Sequence, residues 1–290
     1  MFWLALPVLA VMAIANRLRA GRAIERDYAA RFPSDADGIV RGARAFTLNG
    51  TTGRAVLLLH GSGDTPQSVR YLAEQLNKAG YTVYAPLLPG HGRSPRAFAA
   101  VSAAEYLHAA KEAFEALRRM HSWVAVAGQS MGGAIGARLA DTQNDVSALV
   151  LLAPYLMPPT DVRAAAAAAW LWRPFTAYIT GGPAESVRDR SASAHNMAYG
   201  SYTPAALSAL VETARLGHEA LLRIRVPTLV VNSANDNRIP RPLAERALAG
   251  TGALVETRWV EGCAHIITVD YCKDEVARLV LAFLDREVSS

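Results

Sequence analysis

The sequence predicts an α/β fold in which a mostly parallel sheet is flanked by helices. From residue 44 onward, short apolar runs rich in β-branched residues alternate with helical stretches, which is typical of parallel strands joined by crossover helices. The chain has 290 residues, 51% of them hydrophobic, and can bury a substantial core. We expect a core formed by residues 44–154 and 226–290. Residues 155–225 would be a helical insertion, and residues 1–31 an apolar helix with a basic flank.

The predicted strands and helices alternate along the core. The strands are short buried apolar runs at residues 55–59, 82–85, 124–127, 148–152, 228–231 and 254–260. The helices lie between or after them at residues 68–79, 103–120, 133–141, 242–248 and 273–287. An Asn49-Gly50 pair favours a tight turn, so we expect an antiparallel hairpin that joins residues 44–48 to residues 54–59.

The alternation is interrupted between residues 154 and 225. This interval contains an alanine run at residues 164–169, which favours a helix, and then a Gly181-Gly182-Pro183 sequence. Bulky apolar residues also lie here, at Met157, Trp170, Trp172, Phe175 and Tyr178. We expect the insertion to cap a site at the edge of the sheet. Its aromatic residues would form an apolar wall of that site or pack the insertion's own helices.

The N-terminal segment is apolar and has its positive charge on the C-terminal side only. Residues 1–15 contain no charged side chain, and a helix of that length reaches roughly 22 Å, short of a hydrocarbon core of roughly 30 Å. We expect residues 1–18 to be an uncleaved membrane anchor, because a signal peptide usually begins with basic residues. A signal peptide cleaved after Ala13-Ile14-Ala15 and an amphipathic docking helix remain alternatives.

The net charge of +5 is concentrated beside this segment. Residues 16–31 hold five arginines against Glu25 and Asp27, and so supply +3 of the +5. A nucleic-acid partner would need a basic face, and the rest of the chain shows none. The charge therefore indicates a membrane flank, which would keep the domain on the cytoplasmic side; cleavage would instead release it from the cell.

The cysteine content excludes a disulfide framework and a cysteine-rich metal site. The chain has 2 cysteines, Cys263 and Cys272. We expect free thiols, with one local disulfide between them as the alternative. His91, in a Pro89-Gly90-His91-Gly92 turn, lacks a second ligand at metal-binding spacing, so we expect a structural loop that lines the site.

A G-x-S-x-G motif at residues 128–132 is the strongest chemical signal. It follows an apolar strand and precedes a helix of small residues, so Ser130 would lie on a sharp strand-to-helix turn with its hydroxyl exposed. A serine hydroxyl is a weak nucleophile at neutral pH and needs a general base that a carboxylate orients. We expect Ser130 to be the nucleophile.

The base and the carboxylate are predicted from two later strand ends. Asp236 lies in a polar loop after the strand at 228–231, and His265 lies in the loop between the strand at 254–260 and the last helix. Catalytic side chains collect at the carboxyl ends of parallel strands. We therefore expect Asp236, rather than Asp270, to orient His265, and Asp270 to support the last helix.

An oxyanion hole needs two backbone N–H groups near the serine. Met131 opens the helix after Ser130, and Ser62 lies in the loop after the strand that ends near His60. We expect these two residues to supply the N–H groups. His60 itself is expected to shape the loop rather than act as a base.

Together these motifs resemble the α/β-hydrolase superfamily, in particular its branch of small carboxylesterases and monoacylglycerol lipases. The resemblance covers residues 44–286. It rests on His60-Gly61 with Thr65-Pro66, residues 86–94, residues 128–133, Asp236 with Ile239-Pro240, and residues 265–270. The chain departs from that branch at Ser62 and Gly63, where a bulky apolar residue often follows His-Gly, and at Ala264, where glycine is usual. The first departure predicts a wider or more polar site.

The resemblance implies an α/β-hydrolase fold and a serine hydrolase that cleaves carboxylic esters through an acyl-enzyme. Monoacylglycerols or similar lipid and short-to-medium-chain esters would be the substrates, and neither a cofactor nor a metal would be needed. Thioesterase, acyltransferase and amidase activities on the same three residues remain alternatives. A non-catalytic membrane-tethered scaffold would be expected to have lost one of Ser130, Asp236 and His265, and the sequence retains all three.

Overall fold

The computed structural model describes residues 2–180 and 186–289, without the side chains of residues 2–10 and Thr180. The Gly181-Gly182-Pro183 sequence lies outside these residues. In chain order the strands are β1 (Phe46–Leu48), β2 (Arg54–Leu59), β3 (Thr82–Ala85), β4 (Trp123–Gln129), β5 (Ala148–Leu152), β6 (Ile179–Thr180), β7 (Ser201–Tyr202), β8 (Thr228–Ser233) and β9 (Val255–Val260). The helices are α1 (Phe2–Arg31), α2 (Arg70–Lys78), α3 (Pro95–Phe98), α4 (Ala103–Arg118), α5 (Met131–Thr142), α6 (Thr160–Ala167), α7 (Ala169–Trp172), α8 (Arg190–Ala194), α9 (Pro204–Leu221), α10 (Arg241–Leu248) and α11 (Lys273–Ser289).

The main sheet has seven strands in the order β1-β3-β2-β4-β5-β8-β9. All neighbours run parallel except β1, which is antiparallel to β3. Residues alternate between the two faces along each strand. Leu57 and Leu59 of β2 pack with Phe114 of α4, while Leu58 packs with Phe283 of α11 on the other face. The predicted α/β architecture is confirmed.

The predicted hairpin is wrong in its partner. Residues 46–48 pair with β3, where Thr47 lies opposite Tyr84, and not with β2. Both edges of β2 are already occupied by β3 and β4, so the outer edge of β3 is the edge left for β1. The turn at Gly50 is attached to β3, because the N–H of Gly50 donates to Thr82 Oγ1 over 3.0 Å.

Residues 155–225, which we call the inserted segment, leave the sheet after β5 and return before β8. Helices α6 to α8 and the two-stranded β6-β7 ribbon lie in this interval, and its last helix, α9, packs against α5. This packing is close: a Cβ on Gly217 would lie 2.6 Å from the carbonyl oxygen of Ala134. The last helix of the inserted segment therefore belongs to the helical layer that covers the sheet.

The N-terminal helix α1 packs on the domain through its C-terminal end. Tyr28 is buried there, its ring centroid 4.8 Å from that of Tyr199, and its hydroxyl donates to the carbonyl of Met197. Of the expected anchor at residues 1–18, Met1 and the side chains of residues 2–10 lie outside the described residues. Within the part of the chain that is described, no helix has the length and mean hydropathy needed to cross a membrane.

The prediction of free thiols is wrong, and the alternative of a local disulfide is correct. Cys263 and Cys272 are bonded, with their Cα atoms 5.8 Å apart. Both lie in the connection between β9 and α11, which turns back on itself and brings the two residues within disulfide range. The same connection carries His265.

Candidate active site

Ser130 lies on a strained turn between β4 and α5. Its backbone angles are φ 56° and ψ −116°, a combination that residues other than glycine rarely adopt. The flanking glycines permit this turn: a Cβ on Gly128 would lie 2.2 Å from the carbonyl oxygen of Gly132, and one on Gly132 would lie 2.4 Å from that of Leu59. The predicted elbow is therefore present, and each glycine has a steric reason to be there.

Ser130, His265 and Asp236 form one hydrogen-bonded chain. His265 Nε2 lies 2.8 Å from Ser130 Oγ, and His265 Nδ1 lies 2.8 Å from Asp236 Oδ2. They meet because β4, β8 and β9 are parallel, so the loops after these strands open at the same edge of the sheet. All three side chains are buried, which keeps water from competing for the hydrogen bonds.

The carboxylate of Asp236 is held in its ionised form. Burial by itself would raise the pKa of Asp236, but the facing His265 and hydrogen bonds from His265, Ile239 and Arg238 lower it below its ordinary value. Asp236 Oδ1 accepts the N–H groups of Arg238 and Ile239, which leaves Oδ2 for His265. The imidazole therefore directs Nδ1–H to Asp236 and its free Nε2 lone pair to Ser130.

Asp270 is fully buried and holds the loop that carries His265. Its carboxylate accepts backbone N–H groups from Ala264 and Tyr271 beside the histidine. It also accepts those of Arg188 and Asp189 in the inserted segment. The carboxylate that His265 Nδ1 contacts is that of Asp236, as the hydrogen bond of 2.8 Å shows.

The loop after β2 brings Ser62 to the same edge of the sheet. A Cβ on Gly61 would lie 3.3 Å from Ser130 Cβ, so the loop passes directly over the serine. Met131 is the first residue of α5, and its N–H has no acceptor within the helix. The backbone of both predicted oxyanion residues therefore lies beside Ser130.

His60 and His91 support this loop from behind. His60 Nδ1 bonds the carbonyl of Gly61 and its Nε2 accepts the N–H of Leu88, while His91 Nε2 accepts the N–H of Gly63. Burial lowers the pKa of His91 to about 4 and, together with the nearby His91, lowers that of His60 well below its ordinary value. Both imidazole rings are therefore neutral at pH 7, and their hydrogen bonds hold the loop in place. His91 does not line the pocket, contrary to the expectation from the sequence.

A pocket of about 430 Å³ opens over Ser130 and His265. The inserted segment supplies much of its apolar lining, including Tyr155, Val162, Leu207 and Leu210. The bulky residues proposed from the sequence as an apolar wall are absent from this lining, and Trp170 is 70% exposed on the outer surface. The pocket contains two acidic side chains that sequence reasoning missed, Asp64 in the Ser62 loop and Asp161 in α6.

Among the described residues, no group of histidines, cysteines and acidic side chains could hold a metal ion. The site brings together a serine hydroxyl, a histidine that can accept its proton, and two backbone N–H groups.

A family model described as serine aminopeptidase, S33, matches residues 50–271. The chain belongs to this family. The match spans the serine elbow, Asp236 and His265, and ends before α11. The fold is therefore the α/β-hydrolase fold that the motifs resembled. The family description names a peptidase, which is a class of hydrolase.

Named relatives of this hydrolase span most of its length. It is 28% identical over 247 residues to the thermostable monoacylglycerol lipase of Bacillus sp. strain H-257, an alignment that covers 84% of this chain and 95% of the relative. It is 26% identical over 251 residues to a carboxylesterase of Bacillus subtilis strain 168, covering 84% and 96%.

Solved structures give the same picture of the fold. One described under LipS and LipT, two metagenome-derived lipolytic enzymes, superposes with a TM-score of 0.76 at 28% identity and covers 84% of this chain and 98% of its own. The monoacylglycerol lipase of Paleococcus ferrophilus superposes with a TM-score of 0.73 at 22% identity, with the same coverage of 84% and 98%.

Proposed function

We propose that the protein is a serine hydrolase that cleaves carboxylic esters through an acyl-enzyme, with monoacylglycerols or similar lipid and short-to-medium-chain esters as substrates. The observation that carries this proposal is the hydrogen-bonded chain from Ser130 through His265 to Asp236 at the floor of an apolar pocket. The relatives named as a monoacylglycerol lipase and a carboxylesterase support ester bonds as the target.

The geometry suits a two-step acyl transfer. His265 Nε2 takes the proton of Ser130 as Oγ attacks the ester carbonyl carbon, and Asp236 stabilises the imidazolium that forms. The backbone N–H groups of Met131 and Ser62 hold the oxyanion. The imidazolium then protonates the leaving alcohol, and water, activated by the same histidine, releases the acid and restores Ser130.

The inserted segment is proposed to cap this site. Its residues Tyr155, Val162 and Leu207 face the same pocket as Ser130, so an acyl chain bound there would be enclosed by apolar side chains. A volume of about 430 Å³ is of the size that small-molecule pockets have and suits a short-to-medium acyl chain.

A membrane role of α1 is proposed as a second part of the function. Val11, Met12 and Leu18 are exposed on α1, and exposed arginines follow them, so an apolar stretch of the helix leads into a basic one. Basic side chains near an anionic lipid surface are attracted to it by about 1 kcal/mol each. The basic flank favours a cytoplasmic domain, whereas the Cys263–Cys272 disulfide favours an oxidising compartment and supports release from the cell as the alternative.

The decisive experiment compares wild type with Ser130→Ala on p-nitrophenyl esters of increasing acyl length. We expect wild type to hydrolyse short-to-medium esters and Ser130→Ala to lose about 10³-fold or more in kcat/KM, because the nucleophile is absent. The rate is followed as nitrophenolate release.

Ser208→Ala, an exposed serine on α9, is the matched control and should retain wild-type rates. Full activity of Ser130→Ala would refute the mechanism. Because the family description names peptidases, an aminoacyl p-nitroanilide is measured in parallel. A higher kcat/KM on that anilide than on every ester would overturn the choice of substrate class.

A further inference from the structure

One wall of the pocket carries polar side chains that the acyl-transfer mechanism does not use. We call Ser62, Asp64, Ser201 and Tyr202 the polar wall; all four line the pocket. Two parts of the chain form it, the loop after β2 and the strand β7 of the inserted segment. They are joined by hydrogen bonds from Tyr202 Oη to the carbonyl of Ser62 and from the N–H of Tyr199 to the carbonyl of Gly63, at 3.4 and 3.0 Å.

Asp64 is a buried carboxylate without a cationic partner. Asp64 is 3% exposed, and one of its oxygens accepts the N–H of Thr65 over 2.7 Å. A hydrogen bond from the Ser68 side chain also lowers its pKa, but burial outweighs both hydrogen bonds. No lysine, arginine or histidine forms an ion pair with it in the described part of the chain. Burial raises the pKa of Asp64 to about 6, so it is ionised at neutral pH. Burying a charge without an opposite charge costs free energy, and a ligand that donates a hydrogen bond to the carboxylate would reduce that cost.

Two serine hydroxyls of the polar wall also lack partners. Ser62 Oγ and Ser201 Oγ are shielded from solvent and make no hydrogen bond to the described residues. Ser201 is 4% exposed. Buried polar atoms in folded proteins are nearly always hydrogen bonded, so unpaired ones that line a pocket indicate a place for a ligand's polar group.

The polar wall is close to the reacting atoms. Gly61 lies against Ser130, and the N–H of Asp64 donates to the carbonyl of Gly61 over 3.4 Å, so Asp64 belongs to the same tight loop. A substrate group that reaches the polar wall would therefore be attached within a few bonds of the ester carbonyl.

We propose that the polar wall binds a hydroxyl group of the substrate, close to the scissile ester bond. This inference rests on the proposed ester hydrolysis. A hydroxyl fits because it can donate to the Asp64 carboxylate and accept from a serine hydroxyl at the same time, which satisfies the buried groups of both kinds. The hydroxyl belongs either to a hydroxylated acyl chain or to a polyol alcohol, since both place it within a few bonds of the carbonyl.

Two substrate pairs distinguish these sources. Methyl 3-hydroxybutyrate and methyl butyrate differ in a hydroxyl on the acyl side, while 1-monobutyrin and propyl butyrate differ in hydroxyls on the alcohol side. We expect wild type to prefer the hydroxylated member of one pair. In Asp64→Asn and in Ser201→Ala that preference, as a ratio of kcat/KM values, should fall at least tenfold, or about 1.4 kcal/mol. The rate on the plain ester should change less than threefold.

Ser208→Ala on the neighbouring helix α9 serves as the control and should keep the wild-type preference. An equal preference in wild type and in both polar-wall variants would overturn the proposal. So would a loss confined to methyl 3-aminobutyrate, which would assign the wall to an ammonium group. If Asp64→Asn does not fold, Ser201→Ala decides alone, because it removes a single hydroxyl. Failure of wild type on every plain ester would instead refute the proposed function.

Discussion

At the scale of single residues, Asp64 combines an expected binding role with a cost in stability. Its pKa is raised by burial from 3.8 to about 6, so the folded protein binds this proton more tightly than the unfolded chain does. The folded state is therefore favoured below about pH 4, and that advantage is lost as the pH rises to about 6. A shift of about two pH units corresponds to about 3 kcal/mol.

Asp64→Asn should consequently stabilise the protein at pH 8 and leave it nearly unchanged at pH 4. The amide keeps the shape and an acceptor oxygen for the N–H of Thr65 but carries no charge. We expect the free energy of unfolding, from urea denaturation, to rise by about 2–3 kcal/mol at pH 8. Asp27→Asn, at an exposed position, should show no such difference. An equal effect of Asp64→Asn at both pH values would contradict this account.

Single residues also show how far the sequence could predict the site. Ser130, Asp236 and His265 could be predicted to lie together because each follows a strand in a local pattern and parallel strands bring such positions to one edge of the sheet. Asp64 gave no local signal, because its burial depends on the inserted segment packing over the loop. The small residues at Ser62 and Gly63 were the available hint that this part of the pocket is polar.

At the scale of elements, Asp270 joins two parts of the site that are distant in sequence. Its carboxylate accepts four backbone N–H groups, from Arg188, Asp189, Ala264 and Tyr271. Asp270→Asn would turn an NH₂ group toward N–H donors, leaving buried groups unpaired at about 3 kcal/mol. We expect the unfolding temperature to fall by about 6 °C or more, together with kcat/KM on p-nitrophenyl butyrate. Calorimetry and the ester assay measure the two effects.

Asp145→Asn supplies the comparison for Asp270→Asn, since Asp145 pairs with Arg118 at the surface and should change neither quantity noticeably. An unfolding temperature of Asp270→Asn within a degree of wild type would show that the four hydrogen bonds do not hold the loop.

Element pairing was the part of the fold that local patterns could not give. The Asn49-Gly50 pair predicted a hairpin, yet β1 pairs with β3 because β2 has no unoccupied edge. The Cys263–Cys272 bond likewise depends on how the connection after β9 turns, which neither cysteine reveals alone. Helices and strands with strong periodicity, by contrast, were placed within a few residues of their bounds.

At the scale of the whole molecule, exposed basic side chains are concentrated on α1 and exposed aromatic side chains on the inserted segment. Arg19, Arg22 and Arg26 are exposed on α1, and Trp170 and Phe175 are exposed on the inserted segment. We expect the protein to sediment with phosphatidylglycerol vesicles and not with phosphatidylcholine vesicles. Replacing the three arginines by glutamine should weaken this binding about 100-fold, because each basic residue contributes about 1 kcal/mol at an anionic surface.

The matched control replaces three exposed arginines elsewhere, at Arg119, Arg246 and Arg278. Binding that falls equally in both sets would reflect net charge alone. Sedimentation with neither kind of vesicle would contradict the membrane role of α1 and leave the ester chemistry untouched.

The hydrogen bonds of Asp270 also decide where the pocket can open. They fix residues 188–189 beside the histidine loop, and the N–H of Tyr199 fixes the following stretch to the loop after β2. The C-terminal half of the inserted segment is thus fastened at two points next to the reacting atoms. Of the elements that border the pocket, α6 has no buried residue, so we expect the pocket to open on that side while the contacts of Asp270 and Tyr199 stay in place.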